Sequence, residues 1–490
     1  MARYTLLSLL VTYICILSFK DWHKALCLLI PLMAIIERPD MPRSFLNLPG
    51  ANPYNLCLMF ITLNSMLAKS VTDNLKISNI LKILFCLYFI VFLVAFVRMY
   101  FDMDAWYELM DRLNAPHPSN SSLVVDFLLD PIKFILPGLL LVFGTKTPEQ
   151  GRFALFAIVA MGALLALQVI RVMMPGLLGA DDLASRALRV IDRDIGYHRV
   201  GISTILSMIT SGVFGLFVVF ENKTWKKFTL VLFFFLLLSL ALTGGRAGLA
   251  ACVCTCVVLG IFKYKKILVL GPLVGLLLVP IIPGLQERIL EGFGEGNGEV
   301  NSTHANAVDD EGRDLYAITS GRAVVWPVIV NSIQQAPWVG YGAEAMIRAG
   351  ITMDLYDVLN AKQHGFSHPH NMYLRIILDS GVLGALVVLA FYIYIGFLSY
   401  RDFQRAENQQ TLEVGAMAFG MIGAYLLCGV GSGTFFPETN TVMLWAIIGL
   451  FVALHWRSFE KVNEVVDAEI SDASMSKPLW LKLRVSQAQN

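Results

Sequence analysis

Apolar residues in this chain run in blocks long enough to be measured against a bilayer. A helix rises about 1.5 Å per residue, so crossing a hydrocarbon core of about 30 Å takes roughly 20 mainly apolar residues. Residues 80–97, 123–143, 153–172, 200–220, 228–243, 248–262 and 267–282 form such blocks, and 373–397, 414–428 and 441–455 follow after a long polar gap. Three weaker blocks, 4–18, 26–36 and 55–67, fill the N-terminal region. The pattern predicts an all-α polytopic membrane protein of about 12 transmembrane helices. Its divisions are an N-terminal transmembrane bundle over 1–282, a large loop over 283–371, C-terminal membrane helices over 372–456 and a charged tail over 457–490. Arg3 precedes the first block and no small-residue cleavage pattern follows it, which reads as a retained membrane segment.

The long loop has two halves. Residues 291–314 are rich in Gly, Asn and acidic residues and read as flexible. Residues 318–334 carry an apolar-faced helical pattern with Thr319 and Ser320 as N-caps, so the loop contains an amphipathic helix lying along the membrane surface. Pro337-Trp338-Val339-Gly340-Tyr341-Gly342 then reads as a tight turn with interfacial aromatics. Three connectors are basic: Lys223, Lys226 and Lys227; Lys263, Lys265 and Lys266; Arg401 and Arg405. The intervening spans put all three on one side, the cytoplasmic one by the positive-inside rule, and the long loop on the other. Counting every weak segment leaves the N-terminus outside. Removing one returns it inside, the commoner arrangement and the reason for a count of about 12.

Composition supports lipid as the main solvent. The chain is 56% hydrophobic and 15% charged, against about 25% charged in soluble proteins. A formal net charge of +1 gives no global field for nucleic acid. All eight cysteines lie in apolar runs and read as small buried hydrophobes, including Cys252, Cys254 and Cys256, whose spacing does not suit a zinc site.

Ionisable groups at the outer face need explaining, because each is costly near lipid. Arg246 sits in Thr243-Gly244-Gly245-Arg246-Ala247-Gly248, a short turn between two spans on the side that ordinarily avoids positive charge. Adjacent glycines expose backbone N–H groups and a guanidinium offers a planar donor fork, which together suit a phosphate; snorkelling to the interface is the alternative. Arg322, in Ser320-Gly321-Arg322-Ala323-Val324-Val325-Trp326, shares a helix face with Trp326 near a helix start, a place that favours anions, or belongs to an ordinary surface helix. Ser367-His368-Pro369-His370-Asn371-Met372-Tyr373 leads into a span. His370, just ahead of a helix, meets the positive end of its dipole and is held neutral, as a general base must be. His304, His364, His368 and His370 share this loop, and His364 and His368 have metal-like spacing, but Pro369 interrupts any helix carrying all three. A structural histidine cluster is the other reading. Arg375 and Asp379 read as an i, i+4 ion pair. Arg199, in Asp192-Arg193-Asp194-Ile195-Gly196-Tyr197-His198-Arg199, is a candidate second phosphate contact or a membrane-flanking charge. Asp309 and Asp310 read as solvated charge, and the sequon at Asn301 is too common to weigh.

Thr243–Gly248, Ser320–Trp326, Pro337–Gly342 and His370-Asn371-Met372-Tyr373-Leu374 with Gly381 and Gly384 occur in an order that resembles the O-antigen ligase/polymerase family, over roughly 200–452. The resemblance implies a GT-C-type glycosyltransferase of the bacterial inner membrane, inverting and metal-independent, with no cofactor and its site at the periplasmic face. It implies transfer of a glycan from undecaprenyl diphosphate to a hydroxyl, that of the lipid A core in an O-antigen ligase or of another repeat unit in a polymerase. Carried over, Arg246 and Arg322 hold the donor diphosphate and His370 deprotonates the acceptor. A transporter of lipid-linked sugars is a third class, disfavoured because the polar candidates collect on one face and no paired halves appear.

Overall fold

The computed structural model describes residues 2–42, 52–68, 76–113, 115–175, 183–266, 322–359, 368–431 and 433–458. Among these the ordered elements are helices, with no strand. Their order is α1 (Ala2–Lys20), α2 (Trp22–Ile36), α3 (Pro53–Leu67), α4 (Asn79–Tyr100), α5 (Asp104–Arg112), α6 (Asn120–Gly144), α7 (Pro148–Met173), α8 (Leu183–Ile195), α9 (Arg199–Val219), α10 (Lys223–Leu242), α11 (Arg246–Lys263), α12 (Arg322–Gln335), α13 (Ala345–Arg348), α14 (Ile351–Leu359), α15 (Met372–Arg405), α16 (Gln409–Cys428) and α17 (Thr439–Ser458). Among the described residues nine helices are long and apolar enough to cross a membrane: α4, α6, α7, α9, α10, α11, α15, α16 and α17. Each coincides with an expected block. The expected span at 267–282, the acidic stretch 291–314, Thr319, Ser320, His304, His364 and the tail beyond Ser458 lie outside the described residues.

The N-terminal helices are shorter. At about 1.5 Å per residue, the 15 residues of α2 and of α3 fall short of a full hydrocarbon core. They pack as a group: Asn64 of α3 donates to Ser18 Oγ of α1 at 2.8 Å, and α2 lies against α7.

The centre of the bundle is α9, buried on nearly every side. It presents Ser207, Ser211 and Gly215 at intervals of four to Ala416, Gly420 and Ala424 of α16 at the same interval. Small residues let two helix backbones approach closely where lipid offers no hydrophobic drive to associate them. A Cβ at Gly215 would stand 2.6 Å from the Ala416 carbonyl oxygen, and one at Gly420 2.7 Å from that of Ser211. Either substitution would force the pair apart. This contact holds the ends of α9 and α16 in fixed register and so positions the groups at those ends.

The basic connectors gather at one end, as expected. Gln409 donates to the Val219 carbonyl at 3.2 Å, Lys226 lies over the rings of Phe217 and Tyr264, and Lys263 over Phe403. At the opposite end the described part of the long loop docks back onto α15. That helix is broken at Gly381 (φ +68°, ψ −178°), a departure from the continuous span the apolar pattern suggests. Only glycine takes this conformation readily, and a Cβ would meet the Trp338 carbonyl oxygen at 2.1 Å. The turn around Gly340 fits against the break. Tyr341 N–H donates to the Leu378 carbonyl at 2.8 Å, Gly342 N–H to that of Asp379 at 2.7 Å, and Val382 N–H to that of Pro337 at 2.8 Å. Arg98 of α4 clamps the turn by donating to the Val339 and Gly340 carbonyls at 2.6 and 2.8 Å.

Candidate active site

Three of the candidate site residues, Arg199, Arg246 and His370, stand at a helix start. Arg199 opens α9, behind His198, whose Nδ1 accepts from Val200 N–H at 3.4 Å. Arg246 opens α11 after Gly244, at φ +65°. Arg322 is the first described residue of α12. His370 precedes Asn371, the N-cap of α15, whose Oδ1 accepts from Tyr373 N–H at 2.9 Å and Leu374 N–H at 3.1 Å. His370 itself has φ +51°, a left-handed conformation that costs energy in a residue with a side chain and tends to be kept at functional sites. Unpaired N–H groups and the dipole make helix starts attractive to anions.

The structure brings all four together. A cavity of about 270 Å³ is lined by Arg199, Arg246, Arg322 and His370, with His198, Ser203, the Gly244–Gly248 turn and Gly431. Among its described lining residues there is no aspartate or glutamate. The glycine turn approaches α9 so closely that a Cβ at Gly245 or Gly248 would meet Ser203 Oγ at 2.2 Å. Glycine there is what lets the Arg246 turn reach the cavity wall. Arg322 Nη2 donates to the Gly431 carbonyl, and Trp326 Nε1 donates to the Pro369 carbonyl at 3.0 Å, tying α12 to the histidine segment.

The electrostatics follow from this crowding. Burial, and then Arg246, push the Arg322 guanidinium below its ordinary pKa. Burial first, then Arg322 and His198, lower His370 to about 4, so its imidazole is neutral at physiological pH. The dipole argument reached the same protonation state by a different route.

His368 does not line this cavity. It faces an adjoining one, its ring 4.3 Å from that of His370, and burial lowers its pKa to about 3. Arg375 and Asp379 do pair, Nε to Oδ2 at 3.6 Å, and Arg375 also reaches Glu344 at 2.8 Å while Asp379 accepts from Ala345 N–H at 3.1 Å. His198, Ser203, Gly431, Glu438 and Asn440 were not singled out from the sequence. Of these only His198 adjoined a motif already in view. The loop carrying the last three is a polar break between two apolar spans, and nothing in its residue order shows which cavity it borders.

A scan against family models matches residues 231–389 to the O-antigen ligase family. The matched stretch contains Arg246, Arg322 and His370 and excludes Arg199. A Rickettsia conorii protein provisionally named a polysaccharide ligase is 25% identical over 149 residues, which cover 30% of this chain and 33% of that relative. The chain therefore matches about a third of that curated relative's length. The motif order and the family match agree: residues 231–389 of this membrane protein match the O-antigen ligase family.

Proposed function

We propose that the protein is an O-antigen ligase of the bacterial inner membrane, transferring a glycan from undecaprenyl diphosphate to a hydroxyl of the lipid A core at the periplasmic face. The observation that carries this reading is the cavity that brings three arginines and a neutral histidine together. A guanidinium offers a planar, charged donor fork, and three of them at one cavity match the oxygens of a diphosphate. His370 takes the proton of the acceptor hydroxyl. The acceptor oxygen bonds to the anomeric carbon as the bond from that carbon to the diphosphate oxygen breaks on the opposite face, so configuration inverts. The electron pair leaves on undecaprenyl diphosphate, whose charge Arg246, Arg322 and Arg199 stabilise. The proton passes from His370 to solvent. In this scheme the arginines supply the positive charge that a divalent ion supplies elsewhere, and the architecture is of the GT-C type, with the loop over 283–371 as the periplasmic portion between two membrane bundles.

A pKa of about 4 makes for a weak base, since proton transfer is most effective with a pKa near the working pH. A bound diphosphate cancels part of the field from Arg322 and raises the imidazole's affinity for a proton as the substrate arrives.

Reconstitution of the purified protein in vesicles with undecaprenyl-diphosphate glycan, with and without lipid A core, tests the reading. Glycan on the core lipid, undiminished by EDTA, is the expected result. Longer glycan on undecaprenyl diphosphate without any need for core would make the protein a polymerase, and activity lost in EDTA and restored by a divalent ion would overturn the metal-free scheme.

A further inference from the structure

The cationic cavity has a neighbour. A second cavity of about 250 Å³ shares His198, Val200, Thr204 and His370 with it, so His370 stands on the wall between the two. The neighbour is not lined by Arg199, Arg246 or Arg322; it has His368, Arg375, Glu438, Asn440 and Thr441 instead. Beyond it a third cavity of about 130 Å³ shares Arg375 and Glu438 and adds Asp126, Glu344 and Asp379. Among the described lining residues, carboxyl groups therefore appear only in the second and third cavities, beside Arg375.

We propose that the second cavity is the acceptor-sugar subsite, which takes a neutral, hydroxyl-rich sugar read by Glu438 and Asn440, with the reacting hydroxyl turned towards His370. This rests on the glycosyl transfer proposed above. In-line displacement puts the nucleophile opposite the leaving group, and proximity to the base must be built in beforehand. With the diphosphate among the arginines, the acceptor belongs on the other side of His370. The lining suits that occupant. Sugar hydroxyls donate readily to a carboxylate, and an amide can both donate and accept.

The subsite is also held in shape. Asn440 donates to Glu438 Oε1 at 2.9 Å, and Glu438 N–H donates to Thr441 Oγ1 at 3.0 Å. Gly201 of α9 leaves room for the Asn440 amide, whose Oδ1 and Nδ2 would each lie 2.8 Å from a Cβ at that position. Thr439 donates to Glu37 Oε1 at 3.1 Å and fixes the loop to the end of α2. A recognition pair whose geometry is set by its neighbours loses little entropy on binding.

The test uses the full chain in lipid nanodiscs, with detergent-solubilised lipid A core oligosaccharide as acceptor probe and analogues lacking single hydroxyls on its terminal sugar. Glu438→Gln and Asn440→Ala are expected to weaken acceptor binding, and raise acceptor KM, by about 10- to 100-fold, the worth of a hydrogen bond to a charged group. Donor KM should stay within about twofold. One deoxy analogue should bind the wild type as weakly as the variant and lose nothing further in the variant, a coupling that a merely structural role would not produce. Retained donor binding identifies a folded variant; if Glu438→Gln loses it, Asn440→Ala decides. Acceptor affinity unchanged in both folded variants, a rise in donor KM alone, or a wild type that does not bind the core overturns the subsite. A wild type that binds the core without transferring glycan to it overturns the ligase reading, while the affinities still judge the subsite.

Discussion

Both ends of the bundle are rich in positive charge, and they use it in opposite ways. At the connector end the charges are exposed, lie over aromatic rings, or have carboxylate partners nearby. Lys223, Lys227 and Lys263 are exposed, Lys226 and Lys263 sit over rings, and buried His455 links Asp402, at 2.5 Å, to Arg401, at 3.1 Å. At the other end Arg199, Arg246 and Arg322 converge from three helices on one cavity. Charge at the first end orients and stabilises the chain in its membrane. At the second it converges with His370 on one cavity, an arrangement of donor forks suited to an anionic substrate. Positive residues therefore differ in meaning here by whether the fold spreads them over a surface or brings them to one cavity.

Substitutions at the two ends should separate activity from stability. His370→Ala should cost about 10³-fold in kcat, within the range of a general base, with little change in thermal unfolding. A loss below tenfold in reconstituted transfer would move the base elsewhere. Arg246→Gln and Arg322→Gln should each cost about 10²-fold, as expected for one donor to a developing anion. Arg322→Gln should leave the unfolding temperature near the wild-type value. If it instead destabilises, Arg322 is structural.

Asp402→Asn should do the reverse. Removing the carboxylate from a buried hydrogen bond costs about 1.5–3 kcal/mol, read as a lower unfolding midpoint, while kcat of the folded fraction stays at the wild-type value. Loss of kcat there would mean that the two ends are coupled.

The pH profile gives a smaller effect with a definite sign. The working form of His370 is neutral, so transfer is retained above its pKa and fails as pH falls through it. With that pKa near 4 in the free protein, the acid limb of kcat/KM should lie well below the 6.5 of an ordinary imidazole. Arg322→Gln removes a positive neighbour and should move the limb upwards. A limb that stays put would mean that the titrating group is not His370. Smallest of all, Lys263→Ala at the exposed connector should change transfer less than about twofold, as surface charges away from a site do.

Much of this architecture was legible beforehand because lipid imposes one dominant rule. Apolar blocks near 20 residues must be helices that satisfy their own backbone, and those at 80–97, 200–220 and 414–428 became α4, α9 and α16. The arginines and His370 were legible for a related reason: an ionisable group at the membrane face is costly enough to need a purpose. The break at Gly381 was not legible, since glycine is tolerated in membrane helices and its neighbours look continuous. Only the docked turn at 337–342 supplies hydrogen-bond partners for a kinked backbone there. Glu438 and Asn440 escaped notice because a polar loop between spans is the ordinary case.

The sequence by itself determined the solvent, the helices, the end at which the basic connectors gather and the residue types able to hold a diphosphate and move a proton. The tertiary structure alone decided which of them meet. Arg199, Arg246, Arg322 and His370 are spread over more than a third of the chain. Their convergence depends on small-residue packing of α9 against α16 and on glycines at 245 and 248 that let one turn touch Ser203. Which side of His370 a sugar can occupy is likewise a property of the walls. Carboxylates on Asp126, Glu344, Asp379 and Glu438 come from four separate segments, and only folding gives them a common cavity and a common field.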